Sequence, residues 1–266
     1  MTPQRSSTRR NFFATASLAI VALMLPGTPA AGLDTAAGPL DATFEAHGGL
    51  KQWRKQRQMT YTLNGFPLSA QVARPNRSTV DLNNRFNRIE GEGFVVAFDG
   101  TQAWCTPGPE AVGLPPRFVA LGSFYFIGMP FVFADPGVVL QERATETFRG
   151  KAYRVVQVSY ASGTGHSSKD DYTLFIDPET DRLGLIHHSV TETGVERVTW
   201  VFDEWQKVEE LLVPVRMTLY MGWNPNDPGE GKSFTIEDVR FSRKAPDPGL
   251  YASPTDAVID DSPPKH

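Results

Sequence analysis

His187 and His188 stand side by side in an alternating stretch, Leu183 to Val190. Histidine is the commonest metal ligand and the side chain that titrates nearest neutral pH. Neighbours in a strand point to opposite faces, so this pair cannot close on one metal ion. His47 lies at a helix end beside Gly48 and Gly49, where its ring can meet the last helical carbonyls. His166 falls in a polar, glycine-rich loop and His266 in the tail. Asp177, Glu179 and Asp181 have the alternate spacing that opens a calcium loop. The loop glycine and the closing glutamate are missing, so a hairpin turn is the reading. Asp170-Asp171 opens a strand and is read as solvated. No nucleophile elbow, His-Glu-x-x-His, phosphate loop or dinucleotide fingerprint occurs. Paired carboxylates need only meet in space, and nothing singles out a pair. The chain therefore reads as non-enzymatic, with no metal site and no cofactor expected.

Aromatic residues are the remaining signal. From Ala111 to Leu140 the only charged side chains are Arg117 and Asp135. Phe118, Phe124, Tyr125, Phe126, Phe131 and Phe133 crowd the same run. Pro115, Pro116, Pro130, Pro136 and several glycines break it too often for a membrane span. A short helix can start at Pro115 or Pro116 and stop near Gly128. Apolar all round, it must be covered on more than one side. The insert is either ordinary core or a lid over a cavity. In the second case Trp53, Trp104, Phe118, Phe124, Phe126, Phe131, Phe133 and Trp200 would line a cavity for an apolar ligand. Arg117 would receive its acidic head group, or it is a surface arginine at a helix start.

The elements that would position these residues follow from periodicity. Leu40 to Ala46 reads as a helix ended by Gly48-Gly49, and Leu50 to Arg54 as a second turn. From Gln58 the period changes to alternation: Met59, Tyr61 and Leu63 against Thr60 and Thr62. Short strands follow at 71–74, 78–82, 86–89, 94–98 and 102–104. Beyond the insert come 138–147, 153–160, 171–176, 183–190, 196–202, 215–221 and 234–241. Trp205 to Leu211 reads as a bridge to Pro214. From Lys244 the composition predicts a poorly ordered tail, 244–266. Strands joined by turns mean antiparallel β. The expectation is one mainly β domain over 32–243, a single curved sheet forming an incomplete barrel of about ten or eleven strands. Its hollow would be covered by the N-terminal helix and by the helical insert near 111–137.

The 266 residues carry a net charge of −4, so no basic footprint points to nucleic acid. Cys105 is the single cysteine, which excludes an intramolecular disulfide and reads as a structural thiol. Arg5, Arg9 and Arg10 precede an apolar stretch of about fifteen residues, too short to span a membrane. Small residues follow at Thr28, Ala30 and Ala31. Residues 1–31 thus read as an export signal, with Thr8-Arg9-Arg10-Asn11-Phe12-Phe13 resembling the twin-arginine type. A general secretory signal is the alternative. No cysteine lies near the cleavage point, so no lipid anchor is expected there. A soluble protein, periplasmic or secreted, is the expected outcome.

Several stretches carry a family resemblance. Ala46-His47-Gly48-Gly49-Leu50-x-x-Trp53 looks like the start of a group of exported bacterial proteins without assigned roles. Phe98-Asp99-Gly100-x-x-Ala103-Trp104 is similar to a hairpin of the outer-membrane lipoprotein-carrier and lipoprotein-sorting superfamily. Ile176-Asp177-Pro178-Glu179-Thr180-x-Arg182-Leu183 resembles that superfamily's Asp-Pro-x-Thr hairpin. Phe202-x-x-Trp205-x-x-Val208-x-x-Leu211-x-x-Pro214 resembles its next strand-loop-strand segment. The resemblance implies an incomplete antiparallel barrel capped by helices. It also implies a lipid or acyl ligand between sheet and helices, with a membrane or lipoprotein as possible partner. The insert is more aromatic than a generic carrier needs. A filled, non-catalytic structural or interaction protein stays open beside the carrier reading, and a hydrolase in the hollow is the third.

Overall fold

The computed structural model describes residues 38–67, 69–161, 171–190, 195–221, 224, 226–227 and 229–260. The expected export signal at 1–31, His166 and His266 lie outside the described residues. Two short helices open the described chain, α1 (Asp41–Ala46) and α2 (Leu50–Trp53). Gly48 and Gly49 turn one into the other at φ 105° and 86°. At Gly48 an added Cβ would stand 2.1 Å from the Glu210 carbonyl oxygen, so only glycine fits.

Five strands follow: β1 (Gln58–Asn64), β2 (Asn76–Asp81), β3 (Asn87–Gly91), β4 (Phe94–Phe98) and β5 (Ala103–Thr106). The insert then supplies helix α3 (Pro116–Ile127) and a 3-10 turn, Phe131–Ala134. The meander resumes with β6 (Val138–Phe148), β7 (Lys151–Tyr160), β8 (Tyr172–Ile176) and β9 (Leu183–Val190). It ends with β10 (Val195–Val208), β11 (Leu211–Met221), β12 (Gly231–Ser242) and β13 (Val258–Asp260). All thirteen described strands form one antiparallel sheet, in the order β13-β5-β4-β3-β2-β1-β12-β11-β10-β9-β8-β7-β6. β13 and β6 are its edges, so the sheet does not close. The expected curved, incomplete barrel is the observed fold. Its two halves meet where β1 pairs with β12, Gln58 facing Ser242.

Alternation decides which face is covered. Met59, Tyr61 and Leu63 of β1, Val80 of β2 and Ile89 of β3 all turn to one buried face. Trp200 and Phe202 of β10 and Met217 and Leu219 of β11 join the same core, as their alternation predicts. Helix α3 lies over β3, β4 and β5. Its stripe Pro116, Val119, Ala120, Ser123, Phe124 and Ile127 is buried at helical spacing. A second, smaller cluster covers the outer face, built from Phe148, Val155, Phe175 and Leu185.

Four expectations need correction. The sheet has thirteen described strands rather than ten or eleven. Residues 71–74 form a turn: Ser69 accepts the Val72 N–H on its hydroxyl, 3.2 Å, and the Ala73 N–H on its carbonyl, 2.9 Å. Trp205 does not begin a bridge, because β10 runs on to Val208 and Trp205 pairs with Pro214 of β11. The described part of the expected tail, 244–260, holds a 3-10 turn, Pro248–Tyr251, and β13. Its Tyr251 is 1% exposed and packs on Phe86 at 5.5 Å. The Trp104 indole N–H needs an acceptor on the outer face, and the Tyr251 carbonyl supplies it at 2.7 Å. β13 then pairs with β5, Ile259 facing Trp104. Proline and aspartate dominate the tail's composition, yet the few apolar residues among them fix its path.

Candidate functional site

The described surface is cut by a cleft of about 480 Å³ where both covers meet the sheet. Helix α2 contributes Leu50 and Trp53, followed by Arg54 and Gln56. The β2–β3 turn contributes Leu82, Asn83 and Arg85. The insert contributes Phe131, Ala134, Asp135 and Pro136.

Each element is held by local chemistry. Asp81 accepts the backbone N–H groups of Asn83 and Asn84, at 2.9 and 3.0 Å, and so closes the β2–β3 turn. Arg85 follows with φ 61°, a left-handed conformation that aims its side chain across the cleft. Its guanidinium donates to both carboxylate oxygens of Asp135, with Nη2 at 2.7 and 2.8 Å. It also donates to the Leu82 carbonyl at 2.8 Å and lies 5.6 Å over the Phe124 ring. This fork ties the end of the insert to the sheet. Beneath it, Phe131 stacks on Trp53 at 4.7 Å and on Phe44 at 6.3 Å. Gln56 is 4% exposed, and its Oε1 carries no hydrogen bond.

The predicted residues divide into three groups. Trp53 and Phe131 line the cleft. Phe124 is outside its lining, with the Arg85 guanidinium 5.6 Å over its ring. Phe126, Phe133 and Trp200 lie deeper. Phe126 stacks on Trp200 at 4.4 Å, and Phe133 meets Tyr125 and Tyr172 edge-on at 6.0 and 6.1 Å. Trp104, Arg117 and Phe118 lie elsewhere. Trp104 faces outward under the tail, because its neighbours Ala103 and Cys105 take the inward positions of β5. Arg117 sits at the start of α3, 5.2 Å over the Phe98 ring, donating to the Thr101 carbonyl at 3.3 Å. Its backbone N–H donates to Asp260 Oδ2 at 3.0 Å at the helix start, and Arg117 is not part of the cleft lining. Phe118 is half-buried, outside the large core cluster. Sequence reasoning missed Arg85, Gln56 and Leu82. The signal for Arg85 was its partner, since Asp135 is an isolated acid in an apolar run.

The histidines serve the packing. His188 accepts the Trp200 indole N–H at 3.0 Å and stacks on Tyr172 at 4.9 Å. His187 meets the Thr199 hydroxyl at 3.2 Å. His47 is fully buried, its Nδ1 on the Thr43 carbonyl at 2.8 Å and its ring edge-on to Trp205 at 4.6 Å. Burial lowers its pKa from 6.5 to about 4. Burial likewise raises the Tyr61, Tyr125 and Cys105 values. Among the described residues, no group of three or more His, Cys, Asp or Glu is placed to hold a metal ion. Among them, too, no helix is long and apolar enough to cross a membrane.

Comparison with solved structures sets the fold in context. A LolA superfamily protein from Nitrosomonas europaea superposes over 82% of this chain and 99% of its own, with a TM-score of 0.51 and 11% identity. The fold is LolA-like. A DUF1329 family protein from Desulfovibrio piger covers 77% of this chain and 94% of its own, at a TM-score of 0.44 and 10% identity. A family described as of unknown function, DUF6503, matches residues 119–205, from α3 into β10. Comparison with curated proteins gives no significant match.

Proposed function

We propose that this chain is a carrier or binding protein for an acyl or other apolar ligand, held between the concave face of the sheet and its helical covers. The observation that carries the reading is the cleft. Three separate elements share its lining, and its aromatic floor of Trp53 and Phe131 continues into the large core cluster. Arg85 and Asp135, at 27% and 43% side-chain exposure, pair across its lining. Ion pairs this open to water are worth about 0–1 kcal/mol, so parting them is cheap. The LolA-like fold supports the same reading. A membrane or a lipoprotein is the partner class that would load or receive such a ligand.

Hydrogen exchange tests it. Amides from Phe118 to Phe133 are expected to exchange through openings several kcal/mol cheaper than those of β7 and β10, because segments that move come from the low-stability end of a fold. A long-chain fatty acid at a hundred times its dissociation constant should slow that exchange about a hundredfold, through mass action worth about 2.7 kcal/mol. Protection equal to the strands and indifferent to acyl ligands would leave the second reading. In that reading the insert is packed core and the protein structural. The Phe126–Trp200 stack and the Phe131 sandwich favour it, since an entering chain must displace them.

We further assign the protein to the periplasm or exterior, delivered by the Arg9-Arg10 signal. Replacing both arginines by lysine is expected to hold the precursor in the cytoplasm on cell fractionation. Unchanged delivery points to the general secretory route.

A further inference from the structure

The cleft carries charge of one sign against the balance of the chain. The 266 residues sum to a net charge of −4, yet the lining holds two arginines, Arg54 and Arg85, against the single carboxylate of Asp135. That carboxylate is already occupied, because both of its oxygens accept from Arg85 Nη2, at 2.7 and 2.8 Å. Arg54 is exposed at the end of α2, and its guanidinium has no hydrogen bond or ion pair among the described residues. The other polar side chains of the lining are the amides of Gln56 and Asn83, each with two N–H donors beside its carbonyl. The lining is therefore rich in donors, with one positive charge left over. A group that only accepts and is negatively charged complements it, a carboxylate or a phosphate.

That charge stands beside apolar surface. Arg54 continues the helical turn of α2, at φ −65° and ψ −14°. It falls four residues past Leu50, on the face that Leu50 and Trp53 present to the cleft. Trp53 stacks there on Phe131 at 4.7 Å. The Leu82 N–H donates to the Arg57 carbonyl at 2.9 Å, which fastens the segment after α2 to the start of the β2–β3 turn. A volume of about 480 Å³ is that of a small-molecule site. A cation next to rings and aliphatic side chains, in a cleft open to water, fits an amphiphile with its head group on the arginine and its chain along the rings.

We propose that Arg54, with Arg85 in the same lining, forms a head-group subsite, and that the ligands are anionic amphiphiles. This rests on the carrier reading and specifies its ligand class. The head-group role expected of Arg117 passes to Arg54. A fatty acid and a phosphorylated lipid share the required chemistry.

Dodecanoate, dodecyl phosphate and 1-dodecanol share one chain and test it, by calorimetry on the full chain at low salt. The alcohol is the reference within each variant. Dodecanoate should bind about fivefold tighter than dodecanol, the most that an ion pair this open to water supplies. The ratio should approach one in 1 M salt, where the screening length is about 3 Å. Arg54→Gln should bring it to about one at low salt, and Arg54→Lys should keep it. Asp135→Asn should raise it, since the one negative charge of the lining is then gone. Thermal melts check that each variant is folded.

Dodecyl phosphate binding tighter than dodecanoate names a phosphorylated lipid as the source, and the reverse order a fatty acid; both support the subsite. Equal binding of acid, phosphate and alcohol by the wild type overturns the subsite and leaves the carrier reading standing. So does a preference that survives Arg54→Gln, that 1 M salt does not change, or that Asp135→Asn lowers. Acetate or inorganic phosphate binding as tightly as dodecanoate makes this an adventitious ion only and overturns the subsite. Failure of all three ligands to bind removes the subsite and the carrier reading together.

Discussion

Replacing Trp200 by alanine is expected to destabilise the fold by about 3–5 kcal/mol, the range for a large buried aromatic. Trp200 is 2% exposed. Phe126 stacks on it at 4.4 Å, Phe66 lies nearly parallel at 5.9 Å, and Phe234 meets it edge-on at 5.8 Å. Those three rings belong to the insert, the segment after β1, and β12. Truncation opens a cavity that none of them can fill alone, because each is pinned by its own element. It also leaves the buried His188 Nε2 without the indole N–H it accepts at 3.0 Å. Urea denaturation measures the loss as a lower midpoint at unchanged slope. A shift below about 0.5 kcal/mol is the surface range and would contradict the register that turns Trp200 inward. A lower slope would instead show that the variant's folded state has loosened.

Mild acid is expected to remove about 3 kcal/mol of stability through His47 alone. Its folded pKa is about 4 against 6.5 for a free histidine, and burial is the main cause. The Thr43 carbonyl opposes that shift, and the positive charge of Arg182 adds to it. The folded value is depressed, so the penalty appears on acidification. Above pH 6.5 neither state binds the proton. Between 6.5 and 4 the unfolded chain binds it and the folded chain does not, so stability falls with pH at up to about 1.4 kcal/mol per unit. Below 4 both states are protonated and the slope ends. A proton reaching Nε2 would meet no acceptor, only the rings of Trp205 and Phe131. Urea midpoints of the wild type and of His47→Gln, measured from pH 7 to pH 4, isolate this group from the carboxylates. The two curves should converge as the pH falls. Parallel curves would show that His47 does not titrate in this window.

Much of the architecture was legible because it follows from period. Met59, Tyr61 and Leu63, then Trp200 and Phe202, mark strands whose alternate side chains must be buried. Prolines 115 and 116 and Gly128 bracket α3 as their backbone limits require. Where the reading missed, a non-local partner had decided the outcome. Trp104 carries no sign of which face it occupies, and the partner that settles it is the Tyr251 carbonyl, far along the chain. Arg117 stood out as an isolated charge, yet the carbonyl and ring it meets are fixed by the β4–β5 turn. Arg85 looked ordinary among the polar residues of a turn. Only the fold brings it to Asp135. Of the residues named from sequence, Trp53 and Phe131 line the cleft, while the Arg85–Asp135 pair across it needed the fold.

The pairing of β1 with β12 has a consequence in time. Gln58 meets Ser242, so the seam joining the two halves of the sheet needs strands from near both ends of the described chain. Contacts this distant in sequence make folding slow, because a long loop must close before the contact returns any free energy. Until β12 is present, β1 has β2 on one side and an open edge on the other. Met59, Tyr61 and Leu63 then lack the neighbours that complete their burial. Such an edge is a template for pairing with another copy. A chain that crosses a membrane already folded passes this interval inside the cell. One threaded through unfolded meets it on the far side.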